Sequence, residues 1–505
     1  MSMTRESLGE DISNFLNITF LVLIPKKGGA NDLGDFRPIS LLGGLYKLLA
    51  KVLANRLKKV LDKVVYVDQN AFARGRQILD VLLIANEVID FWHKRKEKGL
   101  ICKLDIEKVY DSLNWNFLMK VTSPIPGLRQ GDPLSPYLFV LGMEVLSVLL
   151  RRVVDGGFIS GCSLRGKRGM EMNVSHLLFA DDTIIFCEAK QDHLTSLSWI
   201  LAWFEAAFGL KINLAKSEVI PVGEVKDIDE LAVELGCSVG SLPTVYLGQP
   251  LGANHKASST WDGVEERMRR RNPLEEGDRG EVCIWKIDLL NKALLGKWIW
   301  RFSLEKEILW KKVIGVKYGH EGFGWRTNEA RGTFRVGVWK EILKEMNWCW
   351  DNIGFKVGEG TKVNFWTDQW YGNEALSQTF PQLFALAVQR NAMVNEMWDS
   401  SLGQGGWNIR FSKDSNDWEL DAIGELFHML RDLRISSKED SVIWKGGGHD
   451  SFQIRDAYKL LAAPSVITFP KKSIWVDKVP TKVAFFAWEA TWEKILTLDR
   501  LQRRG

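Results

Sequence analysis

The chain has 505 residues, 46% hydrophobic and 26% charged, with a net charge of +4; that length holds two or three domains, and the composition is that of a folded soluble protein. A charge so close to neutral excludes a global field for nucleic acid. The six scattered cysteines (102, 162, 187, 237, 283 and 349) contain no CxxC, which argues against a zinc finger or a disulfide framework and fits a reducing compartment.

The longest apolar stretch, residues 15–25, is broken by Asn17 and Thr19 and is far too short to span a membrane. The first residues have no signal-peptide layout, so an intracellular protein, nuclear or cytoplasmic, is expected. Along the chain, "FLVLIP" (20–25) reads as a strand ended by Pro25, followed by the turn-rich "KKGGANDLGDFRP". "LYKLLAKVLANRLKKVL" (45–61) has helical apolar spacing, and Lys47, Lys51, Arg56, Lys58, Lys59 and Lys63 stand there against one acid, Asp62. Residues 78–98 read as a second amphipathic helix that ends in the basic run "HKRKEK". That run and "RMRRR" (267–271) are each either a solvated helix face or a phosphate contact.

"LICKLDIEK" (100–108) reads as a strand delivering Asp105 at its end. Residues 132–153 read as a helix with Asp132 as N-cap and Pro133 at the first helical position. "LLFADDTIIF" (177–186) is expected as a two-residue-turn hairpin with both aspartates in the turn. Residues 194–209 read as a helix closed by Gly209. Helices on a small antiparallel sheet give an α+β fold. Of 22 tryptophans, 17 lie between Trp285 and Trp492, so two differently built regions are expected. They join at a charged, Pro/Gly-containing segment within 269–284, and the fold of 285–505 is left open.

Two adjacent carboxylates between apolar strands repel one another and resist desolvation. They are either an exposed turn or, with Asp105 on a neighbouring strand, a site for hard divalent cations.

The ordered segments "LVLIPKKGGANDLGDFRPISLL", "QNAFARGRQILD", "CKLDIEKVYDSLNW", "GLRQGDPLSPYLF", "FADD", "GLKINLAKSE" and "YLGQPLG" closely resemble the successive motifs of LINE-type (non-LTR) retrotransposon reverse transcriptases, the plant elements above all. The resemblance covers roughly residues 15–270. It implies right-hand polymerase fingers and palm, and a metal triad of Asp105, Asp181 and Asp182 taking two Mg²⁺ ions. Further implied roles are Tyr110 as the steric gate against ribose, Gln130 and Gly131 as the loop at the nascent base pair, and Lys216 as the proton donor to pyrophosphate. Arg37 with Lys26 and Lys27 would meet the incoming deoxynucleoside triphosphate. Arg74 and Arg76 would meet the template, unless they are exposed helix-end arginines. Tyr246 and Gly248 of "YLG" would form the primer grip. The partners so implied are an RNA template and a DNA primer, with no membrane.

The second region resembles the part of the same elements that leads into a zinc-binding domain; its Trp and Phe residues are expected as core packing. The sequence also departs from the family. A palm segment is expected to be missing near 120–126, and much of the thumb and connection near 270. The chain is expected to stop ahead of the zinc-binding knuckle, so that no zinc binds. Two readings follow: an RNA-directed DNA polymerase using two-metal nucleotidyl transfer, expected to be impaired by the internal deletions, or an inactive retroelement remnant that at most binds nucleic acid.

Overall fold

The computed structural model of the chain describes residues 20–26, 28–107, 131–166, 169–253, 287–328, 337–399, 406–412 and 417–462. The first elements are the antiparallel pair β1 (Phe20–Pro25) and β2 (Phe36–Leu41), then helix α1 (Gly44–Leu57). Helix α2 (Ile78–Arg95) leads into β3 (Gly99–Leu104), and α3 (Ser135–Asp155) precedes the hairpin of β4 (His176–Phe179) and β5 (Asp182–Glu188). Next come α4 (Gln191–Phe208), β6 (Glu218–Val222), α5 (Ile228–Leu235) and the short β7 (Ser238–Val239). The hairpin of β8 (Thr244–Tyr246) and β9 (Gln249–Leu251) closes this part.

The central sheet has the order β7–β6–β3–β5–β4 and is antiparallel except for its β6–β7 edge. Side chains alternate between its two faces. Ile101, Leu177, Ile184, Phe186, Ile220 and Val222 point into one core with α2. Leu100, Cys102, Leu178, Ile185, Cys187 and Val219 point into another with α3, α4 and α5. Both faces are therefore covered, which is why these strands read as unbroken apolar runs. Fully burying a side chain such as Ile184 contributes about 2–3 kcal/mol.

The first core continues into α6 (Ile287–Leu304), α7 (Leu309–Tyr318) and on to Tyr458. Trp310, Trp339, Trp366 and Trp444 are among its largest fully buried side chains. Helix α2 is expected to be amphipathic, yet Asp80 to Trp92 are all buried. Its acids are matched from far along the chain. Arg301 donates to both oxygens of Asp80, at 2.7 and 3.0 Å. Lys317 donates to Glu87 at 2.6 Å and to Asp90 at 2.7 Å, and Tyr318 donates to Glu87 at 2.7 Å. A buried charge persists only with such partners.

Helix α3 starts at Ser135, two residues after the expected Pro133, with Pro136 rather than Pro133 in its first turn. The N-cap is Leu134, with no side-chain cap, rather than the expected Asp132; Asp132 lies two residues earlier, where Oδ1 accepts the Leu134 N–H at 3.0 Å and Oδ2 the Ser135 hydroxyl at 3.1 Å. The expected gap near 120–126, the junction 271–284, and Tyr110, Gln130 and Lys27 lie outside the described residues. No helix among the described residues is long and apolar enough to cross a membrane.

Candidate active site

Asp105 follows β3 directly, and Asp181 and Asp182 lie where β4 turns into β5, which pairs with β3. The turn is one residue out of the expected register. Phe179 pairs with Asp182, so Ala180 and Asp181 make the turn and Asp182 opens the strand. Ala180 has φ +57°, a left-handed conformation that costs a residue with a Cβ about 1–2 kcal/mol. Loss of hydration, with Asp105 adding, pushes the Asp181 carboxyl up, while Arg37 pulls it down. The same loss of hydration, then the charges of Asp181 and Asp105, push Asp182 up to about 6. The three aspartates thus lie in one another's field, and the charge of Arg37 on β2 is felt at Asp181.

Lys216 Nζ is 3.7 Å from Asp105 Oδ2. Its turn hangs from Asp105. The Asn213 N–H donates to the Asp105 carbonyl at 2.8 Å, and the Asp105 N–H donates to Ser217 Oγ at 3.2 Å. Nothing in "INLAKSE" singles out Ser217 as this support. Gly131 (φ +104°) lies against β2, where a Cβ would stand 3.0 Å from the Ser40 carbonyl oxygen. The glycine therefore lets the loop ahead of α3 approach the strand that carries Arg37. Lys26 is exposed beside it, and its N–H donates to the Asp35 carbonyl.

Arg76 and Tyr246 are turned inward, whereas Arg74 and Gly248 lie on loops. Arg76 is turned inward, donating to the Tyr66 carbonyl at 2.5 Å and to the Gln69 carbonyl, so it braces its own loop. Arg74 is exposed and lines a cavity of about 460 Å³ with Lys58, Phe72, Tyr137 and Phe179. Tyr246 is buried beneath the carboxylate hairpin and donates to the Asp182 carbonyl at 3.2 Å. Leu247 and Gly248 form the two-residue turn after it, both with positive φ.

Carboxylate oxygens are the donors a hard cation such as Mg²⁺ takes, and their mutual repulsion is what such a cation relieves. In chemistry the set fits the ion. In this geometry it stays open, since no three His, Cys, Asp or Glu side chains among the described residues gather closely enough to hold a metal.

Residues 24–251 match the family model for reverse transcriptase (RNA-dependent DNA polymerase), a span that runs across 120–126. Residues 452–505 match the model for the zinc-binding domain in reverse transcriptase. The Pol polyprotein from a type-1 retrotransposable element R2 of Nasonia vitripennis is 28% identical over 267 residues, covering 45% of this chain and 24% of that protein. A transposon TX1 uncharacterized 149 kDa protein of Xenopus laevis is 28% identical over 240 residues, covering 41% and 18%. A putative ribonuclease H protein of Arabidopsis thaliana is 24% identical over 298 residues, covering 54% and 45%. The chain spans less than half the length of each of these curated relatives. It carries a reverse-transcriptase domain with non-LTR retrotransposon relatives.

The match at 452–505 corrects two expectations. The chain does reach into the zinc-binding domain rather than stopping ahead of it, and the expectation of no zinc falls with that. The expectation failed because it looked for ligand spacing. Residues 452–505 contain neither Cys nor His, so the match rests on residues other than the usual zinc donors. The donors inside the match are carboxylates alone, so no chemical step below runs through zinc.

Proposed function

We propose that the chain is the RNA-directed DNA polymerase part of a non-LTR retrotransposon protein, with Asp105, Asp181 and Asp182 as its metal-holding residues. The observation that carries this reading is the shared field of three carboxylates at one end of β3 and the β4–β5 turn, inside a matched reverse-transcriptase span. Mg²⁺ bound there would supply Lewis acidity to the attacking primer 3′-hydroxyl and to the leaving pyrophosphate. Arg37 would bind the phosphates of the incoming deoxynucleoside triphosphate, with Lys26 and Lys27 adding positive charge. Lys216, held beside Asp105, would hand a proton to the pyrophosphate oxygen as it leaves. Gln130 and Gly131 would border the nascent base pair, and Tyr110 would exclude a ribose 2′-hydroxyl. Arg74 on its exposed loop would meet the RNA template, with Arg76 holding that loop in place. Gly248, in the turn beside the hairpin, would lie nearest the DNA primer, supported by Tyr246.

One observation favours the second reading, an inactive remnant that binds nucleic acid: the carboxylates do not close into a ligating cluster in this geometry. Primer extension on a primed RNA template with Mg²⁺ separates the two. The polymerase reading expects extension by the wild-type chain, a preference for deoxynucleotides, and loss of about 10³-fold or more in Asp181→Ala/Asp182→Ala. A folded chain that binds the primed template without extending it would leave the remnant reading standing.

A further inference from the structure

The β4–β5 turn carries two of the three carboxylates on a backbone that does not hold its own shape. Ala180 is left-handed at φ +57° without the freedom of glycine, and such a residue persists where its surroundings fix it. Two buried side chains from separate segments reach that backbone. Gln69 Oε1 accepts the Ala180 N–H at 3.4 Å and the Ala71 N–H at 3.0 Å. Tyr246 donates its phenol proton to the Asp182 carbonyl at 3.2 Å. Both residues are essentially inaccessible to solvent, at 0% and 1% exposure, so neither can touch a nucleic acid or a nucleotide.

Each is itself anchored. The segment of Gln69 runs beside β4, where Leu178 donates to the Asp68 carbonyl at 2.9 Å and Asn70 donates to the Leu178 carbonyl at 2.8 Å. The β8–β9 hairpin of Tyr246 is tied to α2 by the Gly252 N–H on Asn86 Oδ1 at 2.9 Å. The turn is therefore gripped at the residues on either side of Asp181.

We propose that Gln69 and Tyr246 are positioning residues for the carboxylate hairpin, acting through the backbone of Ala180 and Asp182 to set how Asp181 and Asp182 present their oxygens to a divalent cation. The inference rests on the polymerase reading for the purpose of the hairpin. It concerns residues that touch neither substrate nor metal. An interaction that orients metal ligands from behind typically changes affinity or activity by about 10–100-fold when removed.

The test uses the full chain and Mn²⁺ as the probe, with free Mn²⁺ read by electron paramagnetic resonance. Tyr246→Phe keeps the ring and removes the hydroxyl. Tyr318→Phe removes the hydroxyl of a half-buried tyrosine at Glu87, in the α2–α7 interface away from the turn, and serves as the stability control. Tyr246→Phe is expected to weaken aspartate-dependent Mn²⁺ binding by about tenfold and to lower kcat similarly, with KM for the triphosphate within about twofold. Tyr318→Phe, at a comparable loss in Tm, is expected to change neither. Gln69→Met, which removes the acceptor at similar length, is expected to follow Tyr246→Phe. Wild-type Mn²⁺ affinity in Tyr246→Phe and Gln69→Met, or equal weakening in Tyr318→Phe, overturns the proposal alone. A wild-type chain with no Mn²⁺ site that Asp181→Ala/Asp182→Ala abolishes overturns the polymerase reading as well.

Discussion

The carboxylates and Arg37 stand on two parts of the chain that are packed in opposite ways. Strand β5 buries Thr183 to Cys187 between two cores, and β3 buries everything but Lys103. In β1, by contrast, every residue is exposed, Phe20 by 73% and Leu21 by 68%, and α1 buries only Ala50 and Ala54. The same apolar alphabet thus gives a rigid platform in one place and a strand pair held by its ladder and neighbours in the other. Like charges can be gathered only where the backbone beneath them cannot shift to relieve the repulsion, and that is where the core is deepest. Binding a flexible triphosphate asks less of its scaffold.

The largest effect on that contrast should come from behind the platform. Lys317→Met leaves Glu87 and Asp90 buried without their shared cation, and is expected to cost about 3–5 kcal/mol in urea unfolding; a loss below about 1 kcal/mol would contradict the interlock of α2 with α7. Within the comparison itself, Ile184→Ala is expected to cost about 3 kcal/mol, whereas Leu21→Ala should stay within about 0.5 kcal/mol. Equal losses at the two positions would erase the distinction. Arg37→Ala should leave stability unchanged and raise KM for the incoming triphosphate about tenfold, the weight of one charge-assisted hydrogen bond; steady-state extension kinetics read it.

The smallest effect is a pH dependence at the platform edge. Burial holds the His176 imidazole below its usual range, where Nε2 meets Ser147 Oγ at 2.8 Å and Nδ1 meets Ser175 Oγ at 2.9 Å. Below about pH 6.5 the unfolded chain therefore binds a proton that the folded one refuses. The stability this site contributes is present at neutral pH and declines as pH falls. Urea unfolding of wild type and His176→Gln should converge between pH 7 and pH 5, and a constant difference would rule the mechanism out.

Much of the platform was legible in the sequence. The runs around Asp105 and "FADD" were apolar enough to be strands, and Gly209 closes its helix in the left-handed conformation as expected. What sequence could not give was anything set by partners far along the chain. Asp80, Glu87 and Asp90 look like the polar stripe of a surface helix, and only Arg301 and Lys317, more than 200 residues later, make them interior. Arg76 and Tyr246 carry side chains suited to nucleic acid, and only the fold shows that one is spent on backbone carbonyls and the other on Asp182. The hairpin register slipped by one because Ala-Asp takes the turn that Asp-Asp suggested, a choice the pairing of Phe179 with Asp182 makes.

In the proposed polymerase, Asp105, Asp181 and Asp182 are held in mutual repulsion by their scaffold so that a cation can relieve it. Thermal unfolding of the wild-type chain and of Asp181→Asn/Asp182→Asn, each in EDTA and in Mg²⁺, tests this directly. Mg²⁺ is expected to raise the wild-type Tm, and the variant is expected to be more stable than wild type already in EDTA and not to respond to Mg²⁺. A wild-type Tm indifferent to Mg²⁺, together with a variant no more stable than wild type, would contradict it.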